Sequence, residues 1–195
     1  MDGRHPLRTR SRAPISECVG VTLIELMLVC VLVAICASVA IPGFHRLVLD
    51  SRRTAQVNAL LHALHAARSS AIMRQEPTVV CKSADQVQCT PGAASWSDGW
   101  IMFANRDHDS PPHVDPGEVL LLTQPAIENL AIRSSRSAVT YWPFALAGTT
   151  ATFVFCDERG SSSARAIIVS QTGRPRVSER DSAGKALKCD GLSPN

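Results

Sequence analysis

Hydrophobic and polar positions follow three successive patterns along the 195 residues. Residues 1–20 are mostly polar, and Val21 to Phe44 is then almost unbroken apolar sequence with Glu25 as its one charge. Those 24 residues, at the α-helical rise, span about 36 Å against a bilayer core of roughly 30 Å. After Pro42-Gly43, which is expected to kink or loosen a helix, a second pattern begins. Val57, Leu60, Leu61, Leu64, Ala67, Ala71 and Ile72 recur at steps of three and four, the signature of an amphipathic helix that stops before Pro77. One helix of about 55 residues accounts for both stretches. From residue 78 the pattern changes to short β-branched or aromatic runs separated by Gly, Pro, Asn, Asp and Ser. Strands are expected at 78–82, 100–104, 119–123, 130–133, 139–142, 151–156 and 166–170. A long helix followed by antiparallel strands is an α+β fold.

Glu25 sets the problem for the first 44 residues, because a carboxylate in hydrocarbon costs several kcal/mol on any scale. A basic start and an apolar run also describe a secretory signal peptide, and Ser38-Val39-Ala40 is a passable cleavage site. A signal peptide has no use for the glutamate, nor for a 20-residue polar leader before an abrupt apolar start. Cleavage after Gly20 explains both. Val21 becomes an amino terminus, and Glu25, now the fifth residue, can pair with an α-amine at the same membrane depth, most usefully on a neighbouring subunit. The glutamate then acts as a device for assembly and register.

Charge changes the picture at the two ends. The total is +3, from 20 basic and 17 acidic residues. Residues 1–20 hold Arg4, Arg8, Arg10 and Arg12 against Asp2 and Glu17, which predicts a cytoplasmic amino end and an exported remainder. Residues 159–188 gather seven Arg or Lys against two acids. Of seven cysteines, Cys18 falls in the leader and Cys30 and Cys36 in the apolar run. Cys81, Cys89, Cys156 and Cys189 remain for two disulfides in an oxidising compartment, with three connectivities open. The eight-residue spacing of Cys81 and Cys89 suits a local loop, and Cys156–Cys189 would then tie the basic tail to a core strand. A four-cysteine zinc site is the competitor, and the lack of any C-x-x-C pair counts against it.

Gly20-Val21-Thr22-Leu23-Ile24-Glu25, the apolar run and Ile41-Pro42-Gly43-Phe44 together resemble the class III leader of type IV pilins and type II secretion pseudopilins. Val21 replaces the usual phenylalanine. "WSDGWIMF", "GEVLLL", "FVFC" and "IIVSQTGRPRV" are similar to the GspH/FimT group of minor pilins over residues 20–177. The resemblance implies a helix packed against two β-sheets, a prepilin peptidase that cleaves after Gly20 and methylates the Val21 amine, and assembly with other pilin subunits at the cytoplasmic membrane. It implies a leader over 1–20, a transmembrane segment over 21–44, an amphipathic segment over 45–76 and a β-rich unit over 77–195. Neither a cofactor nor enzymatic activity is implied.

Within that unit Gly173-Arg174-Pro175-Arg176 stands out. Arginine grips phosphate bidentately and stays charged, and Arg159, Arg165, Arg180, Lys185 and Lys188 stand nearby in sequence as further candidate cations. In the FimT-like branch such a G-R-x-R motif is associated with DNA binding during transformation; a solvated tail or a subunit contact is the plainer reading. Trp96 and Trp100, around Asp98-Gly99, are expected in the core beside a hairpin turn. His62 and His65 read as a solvated helix face. Asn105-Arg106-Asp107-His108-Asp109 begins like a calcium loop, but Ser110 and Pro116 occupy the positions of the required glycine and glutamate, leaving Asp115 and Glu118 as candidate contributors. An exposed hairpin loop is the preferred reading there, and no metal is assigned.

Overall fold

The computed structural model describes residues 20–90, 92–144 and 149–189. Most of the leader, including Cys18, and the tail beyond Cys189 lie outside the described residues. A single helix, α1, spans Leu23–Arg74. Pro42 and Gly43 lie inside it without ending it. The helix stops where Gln75 takes a left-handed φ of 58°. The Gln75 side chain returns to donate to the Ile72 carbonyl at 2.7 Å, and Pro77 follows.

The chain divides into two units, residues 1–45 and residues 46–195. In the first, the apolar side chains of α1 are exposed on every side.

In the second unit eight strands follow the helix. They are β1 (Thr78–Lys82), β2 (Trp100–Ala104), β3 (Leu120–Gln124), β4 (Ala131–Ser134), β5 (Ala138–Tyr141), β6 (Ala151–Cys156), β7 (Arg165–Val169) and β8 (Pro175–Ser178). They form two antiparallel four-stranded sheets, ordered β3-β2-β1-β5 and β4-β6-β7-β8. The expected strands are all present with ends shifted by a residue or so, and β8 is an addition. It escaped the sequence reading because Gly173 and Pro175 read as a break. Proline is tolerated where it stands, as the first residue of an edge strand.

The main core lies between the helix and both sheets. Val57, Leu60, Ala63, Leu64, Ala67 and Ala71 line one face of α1 against Val80, Trp100, Met102, Phe153, Phe155 and Ile167. Alanine at 63, 67 and 71 recurs every four residues, so the helix backbone approaches the sheets closely. Each buried Leu or Val contributes about 1.5–3 kcal/mol. Ile72, expected on this face, is instead half exposed, because it lies in the row of the partly buried Leu61, at the edge of the buried stripe.

Both sheets are also covered on their outer faces. Val79, Cys81, Ile101 and Phe103 form a second cluster behind the first sheet, joined by Cys89 and Val114 from loops. Val154, Cys156, Ala166 and Leu187 form a third behind the second sheet, joined by Cys189. Cys81 is bonded to Cys89 and Cys156 to Cys189. Each disulfide thus pins a loop or tail over one sheet's outer face, which is why β1, β2 and β7 are apolar runs rather than alternating strands.

The Asp98-Gly99 pair does not make the hairpin turn expected from sequence. Trp96–Asp98 is a 3-10 turn closed by a capping box: Ser95 Oγ accepts from the Ser97 amide, and the Ser95 amide donates to Asp98 at 2.7 Å. Trp96 meets Phe153 edge-on at 4.8 Å, and its indole N–H donates to the Arg136 carbonyl at 2.8 Å. Ser97 Oγ accepts the Ile132 amide at 2.7 Å. The motif is a structural node between the two sheets. Gly99 is required there, at φ 118°, because a Cβ would lie 2.6 Å from the Gln124 carbonyl and 2.8 Å from that of Ser83.

Candidate functional site

At the start of α1, Gly20 and Val21 precede the helix, and Thr22 caps it. The Glu25 amide donates to Thr22 Oγ1 at 3.3 Å and the Leu26 amide to the Thr22 carbonyl at 3.1 Å. Thr-x-x-Glu is the spacing of a capping box, a signal the sequence reading passed over. Glu25 lies in the first turn, where the helix dipole favours negative charge. This is the one helix among the described residues long and apolar enough to cross a membrane. The two cysteines of the run, Cys30 and Cys36, are exposed and unbonded.

The basic motif is built by the β7–β8 hairpin. The Gly173 amide donates to the Ser170 carbonyl at 2.9 Å, and the Ser170 amide to the Arg174 carbonyl at 3.1 Å. Gly173 takes φ 70°, the left-handed position that closes a three-residue hairpin loop. Ser170 Oγ also accepts the Arg174 amide at 3.3 Å and lies 2.9 Å from Thr172 Oγ1. Pro175 pairs with Val169 of the main core and is buried. Strand alternation therefore turns Arg174 and Arg176 together to the outer face, where both are exposed. No carboxylate among the described residues lies within 4.0 Å of either guanidinium.

The other candidate cations separate. Arg165 pairs with Glu179 at 3.0 Å and also donates to the Ala164 carbonyl. Arg180 donates to the Gly184 carbonyl at 3.1 Å, closing a tail turn held by Asp181. Lys185 and Lys188 are exposed on that tail, which Leu187 and the Cys156–Cys189 bond hold against the outer face of the second sheet. Register adds a residue the sequence reading missed. Arg133 opposes Val154, and Val154 opposes Ala166, so Arg133 shares the outer face on the opposite edge strand. A groove of about 770 Å³ lies on this face between Arg133 and the tail residues Asp181 and Ser182, over Thr152, Val154 and Ile168. Only the pairing register, invisible in one chain's pattern, brings these residues together.

A second polar centre involves α1, β6 and the turn after it. Arg53, on the buried face of the helix, donates to Asp50 at 2.7 Å and to the Ser163 carbonyl, and lies 3.5 Å from Asp157. Arg159 grips Asp157 with two bonds, at 2.6 and 3.1 Å, and reaches Asp50 at 3.0 Å. Burial pushes the Asp157 carboxyl up, but hydrogen bonds from the Arg159 side chain and amide outweigh it and hold Asp157 below its ordinary value. Asp50 is lowered chiefly by its bond to Arg159. Arg159, counted from sequence among the exposed cations, is thereby consumed inside the fold. His62 and His65 are exposed.

The sequence model of the family described as "Type II transport protein GspH" matches residues 56–173. The chain belongs to the GspH family. The match covers the buried half of α1 and every strand through β7, and it ends at Gly173, just before the two arginines. Two crystal forms of the type IV minor pilin FimU of Pseudomonas aeruginosa are similar in structure. They are 17% and 18% identical, each with a TM-score of 0.49 over 70% of this chain, and 98% and 93% of the respective FimU chains are covered. No curated protein sequence matches.

Proposed function

We propose that this GspH-family chain is a minor pilin or pseudopilin that enters a type IV pilus or type II secretion pseudopilus through its N-terminal helix. The observation that carries the reading is the first part of α1, whose apolar side chains are exposed all round. Hydrocarbon or neighbouring apolar helices must cover such a surface. In the prepilin the membrane does so, with the basic leader cytoplasmic and residues 46–195 exported. Prepilin peptidase cuts after Gly20. In the filament, neighbouring helices replace lipid, and Glu25 faces the Val21 amine of another subunit, so that burial of the carboxylate is offset only in the assembled register. The role is structural and needs no catalytic site or cofactor. Glu25→Ala tests it: the variant is expected to be processed normally yet to be depleted from sheared filaments or pseudopili. Incorporation at the parent level would refute the role given to Glu25.

A second reading, a DNA-binding minor pilin serving DNA uptake, is favoured by one observation: Arg174 and Arg176 are exposed together on one strand face with Lys185 and Lys188 on the adjoining tail. Such a surface contacts phosphates without reading bases. The full chain in detergent micelles should bind duplex DNA with steep salt dependence. R174Q/R176Q should lower the slope of log K against log salt by about 2. Absence of binding by the parent at low salt would leave the arginines as a subunit contact.

A further inference from the structure

The connection between β2 and β3, residues 105–119, is a loop held at several points. The Glu118 carboxylate accepts the Arg106 amide at 2.5 Å and the Asp115 amide at 3.1 Å. The Gln88 side chain bonds Val114 in both directions, at 2.8 and 2.9 Å. Asp109 Oδ2 accepts the His113 amide at 2.8 Å and lies 3.0 Å from His113 Nδ1. These ties bring Asp115 back across the start of the loop, so that carboxylate oxygens of Asp107, Asp109 and Asp115 all lie within 4.8 Å of one another. Like charges so gathered repel one another. The half-exposed His113 reaches the cluster at Asp109, whereas Arg106 is turned away to Glu76 at 2.9 Å.

An independent feature points at the same place. Asn105, 2% exposed, directly follows β2, and its Nδ2 donates to Asp109 Oδ1 at 3.0 Å. The Oδ1 of that same amide is buried with no hydrogen-bond partner. Leaving a buried acceptor unpaired is costly, and a cation at the acid cluster supplies the partner it lacks.

We propose that this loop is a calcium site, with side-chain oxygens of Asn105, Asp107, Asp109 and Asp115 as its protein ligands and water completing the shell. The ligand chemistry is all oxygen, which selects a hard cation. Geometry selects among hard cations: calcium accepts roughly six to eight oxygens in an irregular shell, whereas magnesium demands near-ideal octahedral geometry, which ligands gathered from alternate positions and a chain reversal do not provide. The site departs from the usual helix–loop–helix arrangement. Its first three ligands come from alternate positions, but the fourth arrives by chain reversal at Asp115 instead of from a glutamate at the twelfth position.

Terbium luminescence on the EDTA-stripped full chain in detergent micelles tests this, because Trp142, whose ring lies 5.4 Å from that of His108 in the loop, can sensitise a bound lanthanide. One class of terbium sites is expected, displaced by calcium at about 10⁻⁴–10⁻³ M and not by a tenfold higher concentration of magnesium. Calcium should also raise the unfolding temperature. D107N/D115N alters two exposed side chains and should weaken calcium binding roughly 100-fold or more. Asp107→Asn alone, tested in parallel, should weaken it at least tenfold. No calcium-displaceable emission from the parent, or unchanged affinity in these variants, overturns the assignment.

Discussion

Changing Asp157 to Asn should destabilise residues 46–195 more than any surface substitution. The Asp157 side chain is 2% exposed and that of Arg53 is 6% exposed. The substitution would keep the volume but remove the charge and turn an amide N–H₂ group toward two guanidinium groups. Arg53 would retain Asp50, whose side chain is 51% exposed, and the Ser163 carbonyl. Breaking a buried ion pair by removing one partner costs about 3–5 kcal/mol. Because Asp50 keeps part of the compensation, about 3 kcal/mol is expected, a large share of the 5–15 kcal/mol typical of a domain. Urea unfolding of the full chain in detergent micelles, followed by fluorescence of the buried Trp96 and Trp100, reads the difference. The pH dependence has a definite sign. The folded-state carboxyl is held below its ordinary 3.8, so its contribution is fully present above that pH and is lost as pH falls through the lowered value. The gap between parent and variant should therefore be largest at neutral pH and narrow in acid. A second variant, R53M/D157L, replaces both charges by apolar groups and should recover much of the loss. A loss below about 1 kcal/mol at neutral pH, or a gap that stays constant into acid, would refute the idea that this ionic centre holds helix and sheet together.

Two further perturbations probe the rest of the unit. Closing a 33-residue loop is worth about 3.7 kcal/mol in the chain-entropy account, and closing an 8-residue loop about 2.5 kcal/mol. C156A/C189A should thus lower the urea midpoint more than C81A/C89A, and the reverse order would contradict the entropic ranking. Gly99→Ala places a methyl group against two backbone carbonyls at positive φ, so a loss of at least about 2 kcal/mol is expected. Gly117→Ala, also at positive φ but with nothing within 4 Å of the added carbon, should cost less in the same titration; equal losses would remove the steric argument.

Whatever depends on local periodicity was legible in the chain. The 3.6-residue spacing from Val57 to Ala71 marks the packed face of α1 because one side of a helix meets the core. The β-branched runs between turn residues mark the strands, and the apolar run with Glu25 marks the anchor-like start. The family was legible too, from the leader and from the words around Trp96 and Trp100. What local pattern could not decide was which distant segments meet. Arg53 sits within the apolar face of α1 and finds partners there because Asp157 and Ser163, more than a hundred residues later, come beside it just after β6. Arg133 joins the face of Arg176 only through the pairing of β4, β6, β7 and β8. Proline and glycine hid β8, since both break strands in general and neither does at a hairpin closing onto an edge. Asp115 meets Asp107 and Asp109 because Gln88 and Glu118 fold the loop back. Sequence alone determined the elements, since helix and strand periods follow from the geometry of a single chain. Tertiary structure decided the sites, since charges far apart along the chain become neighbours only when register and loop closure place them there.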